Sequence, residues 1–298
     1  MATTKASAKK KSPAKKTTSS APKTAAVKGV AVEKGSVKAK KSLIKEFFAR
    51  KYDANENILT IFKTPKIYGA ILGEILGTAL LSMLLLTLGY NPIYVIFGVL
   101  VVTLAVFAFS GANLNPAITV GMMASRRMSP IRGTLYIIAQ VIGAWVGFMI
   151  ISAFHSAGGG STGAKMVSIT AADDSFFWAI TMIEFLCAII LGFVFTRALA
   201  YKKSVFTFAA IISAGVFLIS IIALILTNDY LGIQNAVALN PAIAIVYQVL
   251  PSEGATFGEL LLGMGKALTT FAVFPMIGAT LGFYISDIAA KLSGEKAE

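Results

Sequence analysis

The chain has 298 residues, 56% of them hydrophobic, with a mean hydropathy of +0.76, a balance that does not suit a soluble globular domain. Its net charge of +13 conflicts with a lipid environment only until the charges are located: residues 1–42 hold twelve lysines against one acid, Glu33, so eleven of the thirteen positive charges lie in that segment. A single cysteine and a single histidine exclude a disulfide framework and a four-ligand cysteine site, and with no Ser-His-Asp, HExxH or GxxxxGK[ST] arrangement the chain reads as no enzyme, with no cofactor or metal expected.

Residues 1–42 are rich in Lys, Ala, Ser and Thr without apolar periodicity, which predicts a disordered, solvated tail. Its charge suits anionic lipid headgroups first and nucleic acid second, and its composition also resembles an organelle transit peptide. No n-region, apolar core and cleavage pattern opens the chain, so the first membrane span is expected to serve as the targeting signal. Residues 43–66 follow. Leu43, Ile44, Phe47 and Phe48, interleaved with Lys45, Glu46 and Arg50, predict an amphipathic helix on the inner leaflet. Ile58, Leu59, Ile61 and Phe62 either continue it or pack beneath the helices that follow.

Six stretches are long and apolar enough to cross a hydrocarbon core of about 30 Å: 67–88, 93–109, 131–154, 176–199, 206–226 and 267–288. Lys63 and Lys66 precede the first. Arg126, Arg127 and Arg132 lie between the second and third, and Arg197, Lys202 and Lys203 between the fourth and fifth. The other connections carry Asp173, Asp174, Asp229, Glu253 and Glu259 against only Lys165 and Lys266. The positive-inside rule then puts the basic connections and both termini, including the tail at 291–298, in the cytoplasm of a cell-membrane protein. His155 closes the third span as an interfacial residue, and Cys187 sits alone in the fourth.

Leu114-Asn115-Pro116-Ala117-Ile118 follows the second span and recurs as Leu239-Asn240-Pro241-Ala242-Ile243 after the fifth. Each half also places one glutamate, Glu74 or Glu184, inside its first span. The chain therefore reads as two copies of three spans. Three being odd, the copies insert with opposite topology about a pseudo-twofold axis in the membrane plane.

Asparagine followed by proline is a helix start. The runs 116–125 and 241–250 reach only about 15 Å as helices, half the bilayer. Dipping from opposite leaflets, they are expected to meet near the midplane with both positive ends converging, which disfavours protons and cations. Non-helical backbone at that depth needs partners, which Glu74 and Glu184 are expected to supply by accepting hydrogen bonds from the loop amides. The rival reading makes either glutamate the coupling site of an ion- or proton-coupled secondary transporter.

With both loops in view, residues 67–290 resemble the aquaporin, or major intrinsic protein, family. Ser110 to Gly121 is similar to the family's first signature. Tyr136 to Gly147, with Gln140, resembles its third helix, and Pro275-Met276-Ile277-Gly278 with Gly282 its sixth. The resemblance implies an all-α fold of six transmembrane helices and two re-entrant half-helices in an inverted repeat, usually a homotetramer with one pore per subunit. It implies passive passage of water or small uncharged solutes past Asn115, Pro116, Ala117 and Asn240, Pro241, Ala242.

The family's selectivity filter maps onto Val95, Val237 and Ile243, with Ser220 from the fifth helix and Phe217 or Ile221 as alternatives. Ile243 stands where most members have arginine, and Asn113 where many have histidine. An apolar collar without arginine either widens the pore for glycerol-, urea- or ammonia-like solutes or acts as a dewetting barrier to water.

Overall fold

The computed structural model describes residues 58–88, 91–158, 174–233, 237–248 and 256–294. The basic tail, the Leu43 to Phe48 pattern and residues 295–298 lie outside the described residues. Ten α-helices follow in order among those described: α1 Ile58–Ile61, α2 Pro65–Leu88, α3 Pro92–Ser110, α4 Pro116–Ala124, α5 Pro130–Ala157, α6 Asp174–Leu199, α7 Val205–Leu224, α8 Pro241–Gln248, α9 Phe257–Leu268 and α10 Phe274–Leu292. Proline is the first residue of α2, α3, α4, α5 and α8, where its missing N–H costs nothing and its fixed φ suits the helix. Asparagine caps three of these starts with its side chain, Asn91 accepting from Ile93 N at 3.1 Å, Asn115 from Ala117 N at 2.9 Å and Asn240 from Ala242 N at 3.1 Å.

Two π-helical turns extend the pattern. Ile225–Tyr230 continues α7, and Thr269–Val273 joins α9 to α10. The fifth span thus runs to Tyr230 and absorbs four residues of what reads as a long loop. The sixth departs further from the expected 267–288, because one continuous helical segment covers Phe257–Leu292. A capping box explains the early start: Thr256 Oγ1 accepts from Glu259 N, and Glu259 Oε2 accepts from Thr256 N at 2.8 Å. Its 36 residues span about 54 Å at 1.5 Å each, well beyond the hydrocarbon.

Six helical segments have the length and apolarity of membrane spans, and their outward faces carry large apolar residues such as Leu76, Phe97, Val101, Trp145, Leu186 and Leu218. Exposed tyrosines and Trp178 lie near helix ends, with Tyr68 and Tyr201 at one side and Tyr94, Trp178 and Tyr230 at the other, as at membrane interfaces, whereas Trp145 lies at mid-helix. Ile61 is buried with Ile67, Ala70, Met128 and Tyr136. The last turn of the 43–66 segment therefore packs against the bundle, while Phe62 stays partly exposed beside the Tyr68 ring.

The two repeats, α2 to α5 and α6 to α10, pack by the same scheme. The first span of each lies along the third of its own repeat, α2 on α5 and α6 on α10, whereas each half-helix lies on the third span of the other repeat, α4 on α10 and α8 on α5. Small residues set the first kind of contact. A methyl carbon on Gly143 or Gly147 of α5 would sit 2.3 or 2.4 Å from the carbonyl oxygen of Ile75 or Ala79. On α10, Gly278 and Gly282 meet the carbonyls of Phe185 and Ile189 at 2.5 and 2.1 Å in the same sense. Backbone thus touches backbone at equivalent levels of both halves, the close approach that small residues permit in lipid.

Gly143→Ala and Gly282→Ala are each expected to destabilise the detergent-solubilised protein by about 1–3 kcal/mol, the usual cost of forcing extra volume into a packed interior. Gly265→Ala, which meets nothing within 4 Å, should be neutral or slightly stabilising. Equal thermal shifts for all three would show that close approach is not what these glycines serve.

Candidate functional site

The half-helices α4 and α8 begin at the two signature asparagines, and their tips meet. Asn115 Nδ2 donates to Leu239 O at 2.8 Å, and Asn240 Nδ2 donates to Leu114 O, also at 2.8 Å. Each asparagine meanwhile caps its own helix through Oδ1, Asn115 from Ala117 N and Asn240 from Ala242 N at 3.1 Å. Both carbonyls that receive these bonds belong to leucines in the left-handed region, Leu114 at φ 54° and Leu239 at φ 55°. That conformation turns each carbonyl toward the opposite half.

Buried carboxylates hold the loops behind the asparagines. Glu74, fully buried on α2, accepts from Asn113 N at 3.0 Å, Leu114 N at 2.8 Å and Gln140 Nε2 at 2.6 Å. Gln140 Nε2 also reaches Thr119 Oγ1 at 2.9 Å, and Asn113 Nδ2 lies 3.4 Å from the same hydroxyl. Glu184, equally buried on α6, accepts from Ala238 N at 2.5 Å and Leu239 N at 3.2 Å. The first loop therefore has a side-chain network around its carboxylate; the bonds to the second come from backbone.

A cavity of about 80 Å³ runs along this junction. One water needs roughly 10–15 Å³ of such space, so it accommodates a short file. Asn115 and Asn240 are both on its wall, as are Thr103, Asn113 and Ser220, with apolar side chains between them. Neither Glu74 nor Glu184 is among the lining residues.

The sequence-predicted filter residues divide. Val95 and Ser220 line the cavity, Ser220 with its hydroxyl turned back to Val216 O at 2.8 Å. Val237 and Ile243 are buried in the same apolar cluster as Val95 but are not on the wall. Phe217 and Ile221 are half-buried and also off the wall. Ala223 joins Val95, Val237 and Ile243 in that cluster; it lies within the expected fifth span, but the sequence reading considered only Phe217, Ser220 and Ile221 there. Cys187 is a buried free thiol on the cavity wall, a position its helical register alone did not reveal. His155 falls within α5, and no cluster of metal-ligating residues occurs among the described residues.

The far end of α4 is fastened to α10. Arg127 forms a bidentate pair with Asp287, Nη1 to Oδ2 at 3.1 Å and Nη2 to Oδ1 at 2.7 Å, and its guanidinium lies 5.8 Å from the Phe283 ring centroid. Tyr284 OH donates to Ala124 O at 3.2 Å. Charge counting used Arg127 for orientation and gave Asp287 no role.

Two half-helices joined tip to tip inside six membrane-length helices, with the halves repeated in opposite sense, define an inverted-repeat membrane protein of the aquaporin fold. The chain belongs to the major intrinsic protein family, whose sequence pattern, described as Major intrinsic protein, matches residues 61–285. It is accordingly a multi-pass membrane protein.

Among curated proteins it is similar to Aquaporin-1 of Sus scrofa, 47% identical over 62 residues, which is 20% of this chain and 23% of that protein. It is also similar to probable aquaporin PIP2-5 of Arabidopsis thaliana, 39% identical over 59 residues, 18% of this chain and 21% of that one. The chain thus spans about a fifth of the length of the curated relatives it matches. Among solved structures it resembles the aquaglyceroporin from Plasmodium falciparum, with a TM-score of 0.52 and 16% identity over 75% of this chain and 95% of that one. That likeness carries the fold.

Glu184→Ala leaves Ala238 N–H and Leu239 N–H without their acceptor, at about 1–3 kcal/mol for each buried donor. The variant should melt well below the parent in detergent, and Glu184→Gln, which keeps one acceptor oxygen, should fall between them. A melting point unchanged in Glu184→Ala would remove the carboxylate from its supporting role.

Proposed function

We propose that the chain is a passive channel for water and small uncharged solutes of the glycerol, urea or ammonia class, with Asn115 and Asn240 as its central donors. The observation that carries this reading is that both asparagines border one cavity while each spends a single amide hydrogen on the opposite loop. An amide has two such hydrogens, so each retains one to offer a passing oxygen.

Two half-helix N-termini converge on the same point and carry partial positive charge there, which disfavours protons and cations without any charged side chain. Glu74 and Glu184 are engaged by loop donors and absent from the cavity wall. That arrangement argues for a supporting role and against a proton-coupling one.

Selectivity in this reading falls to an apolar collar of Val95, Val237 and Ile243, completed from α7 by Ser220 or by Ala223 one turn further. With isoleucine at position 243 the collar has no fixed cation and few donors for water, so solutes that bring apolar carbons lose less on entering it. The basic connections at one end of the spans support cytoplasmic termini in a cell membrane, with the lysine-rich tail near anionic lipid. Family membership supports a homotetramer.

Stopped-flow swelling of proteoliposomes with water, glycerol, urea and ammonia tests the channel reading. Flux of at least one of them should exceed that of empty vesicles. Because Cys187 is the chain's only cysteine and lies on the wall, a mercurial should block that flux and Cys187→Ser should abolish the block. Rates equal to those of empty vesicles for all four solutes would count against conduction, and uphill accumulation under an imposed ion gradient would favour a transporter. Ile243→Arg restores a cation and several donors at the collar, and is expected to shift relative permeability toward water. Unchanged ratios would locate the collar elsewhere.

A further inference from the structure

The cavity ends in aromatic rings. Its wall includes Phe195 of α6 and Ile212 of α7, both toward the ends of those helices joined by the exposed 200–203 turn. Beyond them, in the direction of that turn, the next large side chains belong to Phe208 and Phe107, which are not on the wall.

The Phe195 ring meets Phe208 edge-on, with centroids 5.6 Å apart and planes at 85°, and Phe208 in turn lies 4.8 Å from Phe107. On its other side Phe195 packs 6.0 Å from Phe283. Phe195, Phe208 and Phe283 are essentially inaccessible, at 2%, 0% and 0% exposure. Four rings, from α3, α7, α6 and α10, are therefore joined in one chain of contacts that meets the cavity at Phe195.

This row of rings has a fixed side and a thin one. Phe283 is clamped: a methyl at Gly121 of α4 would lie 2.6 Å from its ring, and Arg127, held by Asp287, covers it. Phe208 lies one turn from the start of α7, whose cap Ser204 is exposed. Rings packed at these centroid distances make an apolar constriction, and a hydrophobic constriction gates by dewetting.

Resting on the channel reading above, we infer that Phe195, backed by Phe208 and Phe107, is the flux-limiting constriction. It lies at the basic-connection end of the pore, away from the collar at Val95. The Phe195 side chain is the part of the row that faces the cavity, so its rotation decides whether the file of solutes connects to the inner mouth. Its size sets both the rate and the largest solute admitted.

The test is flux through proteoliposomes of the full chain carrying Phe195→Ala, Phe195→Leu or Phe195→Trp. Lipid-facing Phe206→Ala, at 64% exposure, serves as the control. Phe195→Ala should raise water and glycerol flux by roughly three-fold or more and Phe195→Leu by less, while Phe195→Trp should suppress both, as a dewetted constriction requires. The control should match the parent. A rise on shortening the ring cannot come from misfolding, so it supports the gate even if the tryptophan variant is unstable. Flux in the parent with none of the Phe195 variants departing from it overturns the gate and leaves the channel standing. No flux in the parent or in Phe195→Ala, with both monodisperse in detergent, overturns the channel reading and the gate together.

Discussion

The two hydrogen bonds exchanged between Asn115 and Leu239 O, and between Asn240 and Leu114 O, are the constraint on which the rest of the architecture depends. Two helix N-termini brought face to face repel through their like partial charges, and neither half-helix is long enough to reach water at its buried end. A carbonyl from each loop, set between the ends, supplies the negative partner that both need. Presenting those carbonyls obliges Leu114 and Leu239 to adopt φ near +55°, a conformation that costs a non-glycine residue about 1–3 kcal/mol. Glu74 and Glu184 offset that strain by taking the loop N–H groups that the turn exposes.

The pseudo-twofold relation follows from the same junction. Each half-helix is carried on the third span of the opposite repeat, so the junction holds only if the spans of both repeats stand at matched heights. The paired glycines fix those heights by direct backbone contact, Gly143 and Gly147 of α5 against α2 and Gly278 and Gly282 of α10 against α6. The symmetry stops at the polar support. Gln140 and Thr119 brace the first loop, and the matching carboxylate in the second relies on Ala238 and Leu239. On the first side Arg127 and Asp287 then tie the outer end of α4 to α10, so the half-helix is held at both ends.

Much of this was legible because it is written in short, local signals. Asn-Pro pairs mark helix starts, apolar runs mark spans, and a carboxylate at mid-span needs a buried partner; each of these depends on a few adjacent residues. The features that escaped depend on phase along a helix or on contact between distant segments. A π turn at Ile225–Tyr230 leaves no compositional mark, so the run of the fifth span to Tyr230 was not readable, and the burial of Ala223 beside Val95, Val237 and Ile243 depends on contacts between distant segments. The early start of α9 rests on a Thr256–Glu259 capping box preceding a half-apolar turn, which hydropathy averaging hides. Arg127 with Asp287, and the four phenylalanines, are joined by packing across the chain's whole length.

The placement of charge unites the site. The membrane-depth carboxylates are spent on backbone N–H groups and kept off the cavity wall, and the Arg127–Asp287 pair sits at the end of α4, away from the asparagines. What borders the cavity is amide, hydroxyl, the Cys187 thiol and hydrocarbon. With no formal charge on the wall, no solute there is attracted by a point charge strongly enough to be trapped, and in the channel proposed above discrimination falls to the converging helix dipoles, the apolar collar and the proposed constriction at Phe195. The dipoles are fixed by the fold itself. The collar can change by substitution without dismantling the junction, and Ile243, where the family resemblance implies arginine, is one place where this sequence departs from that pattern.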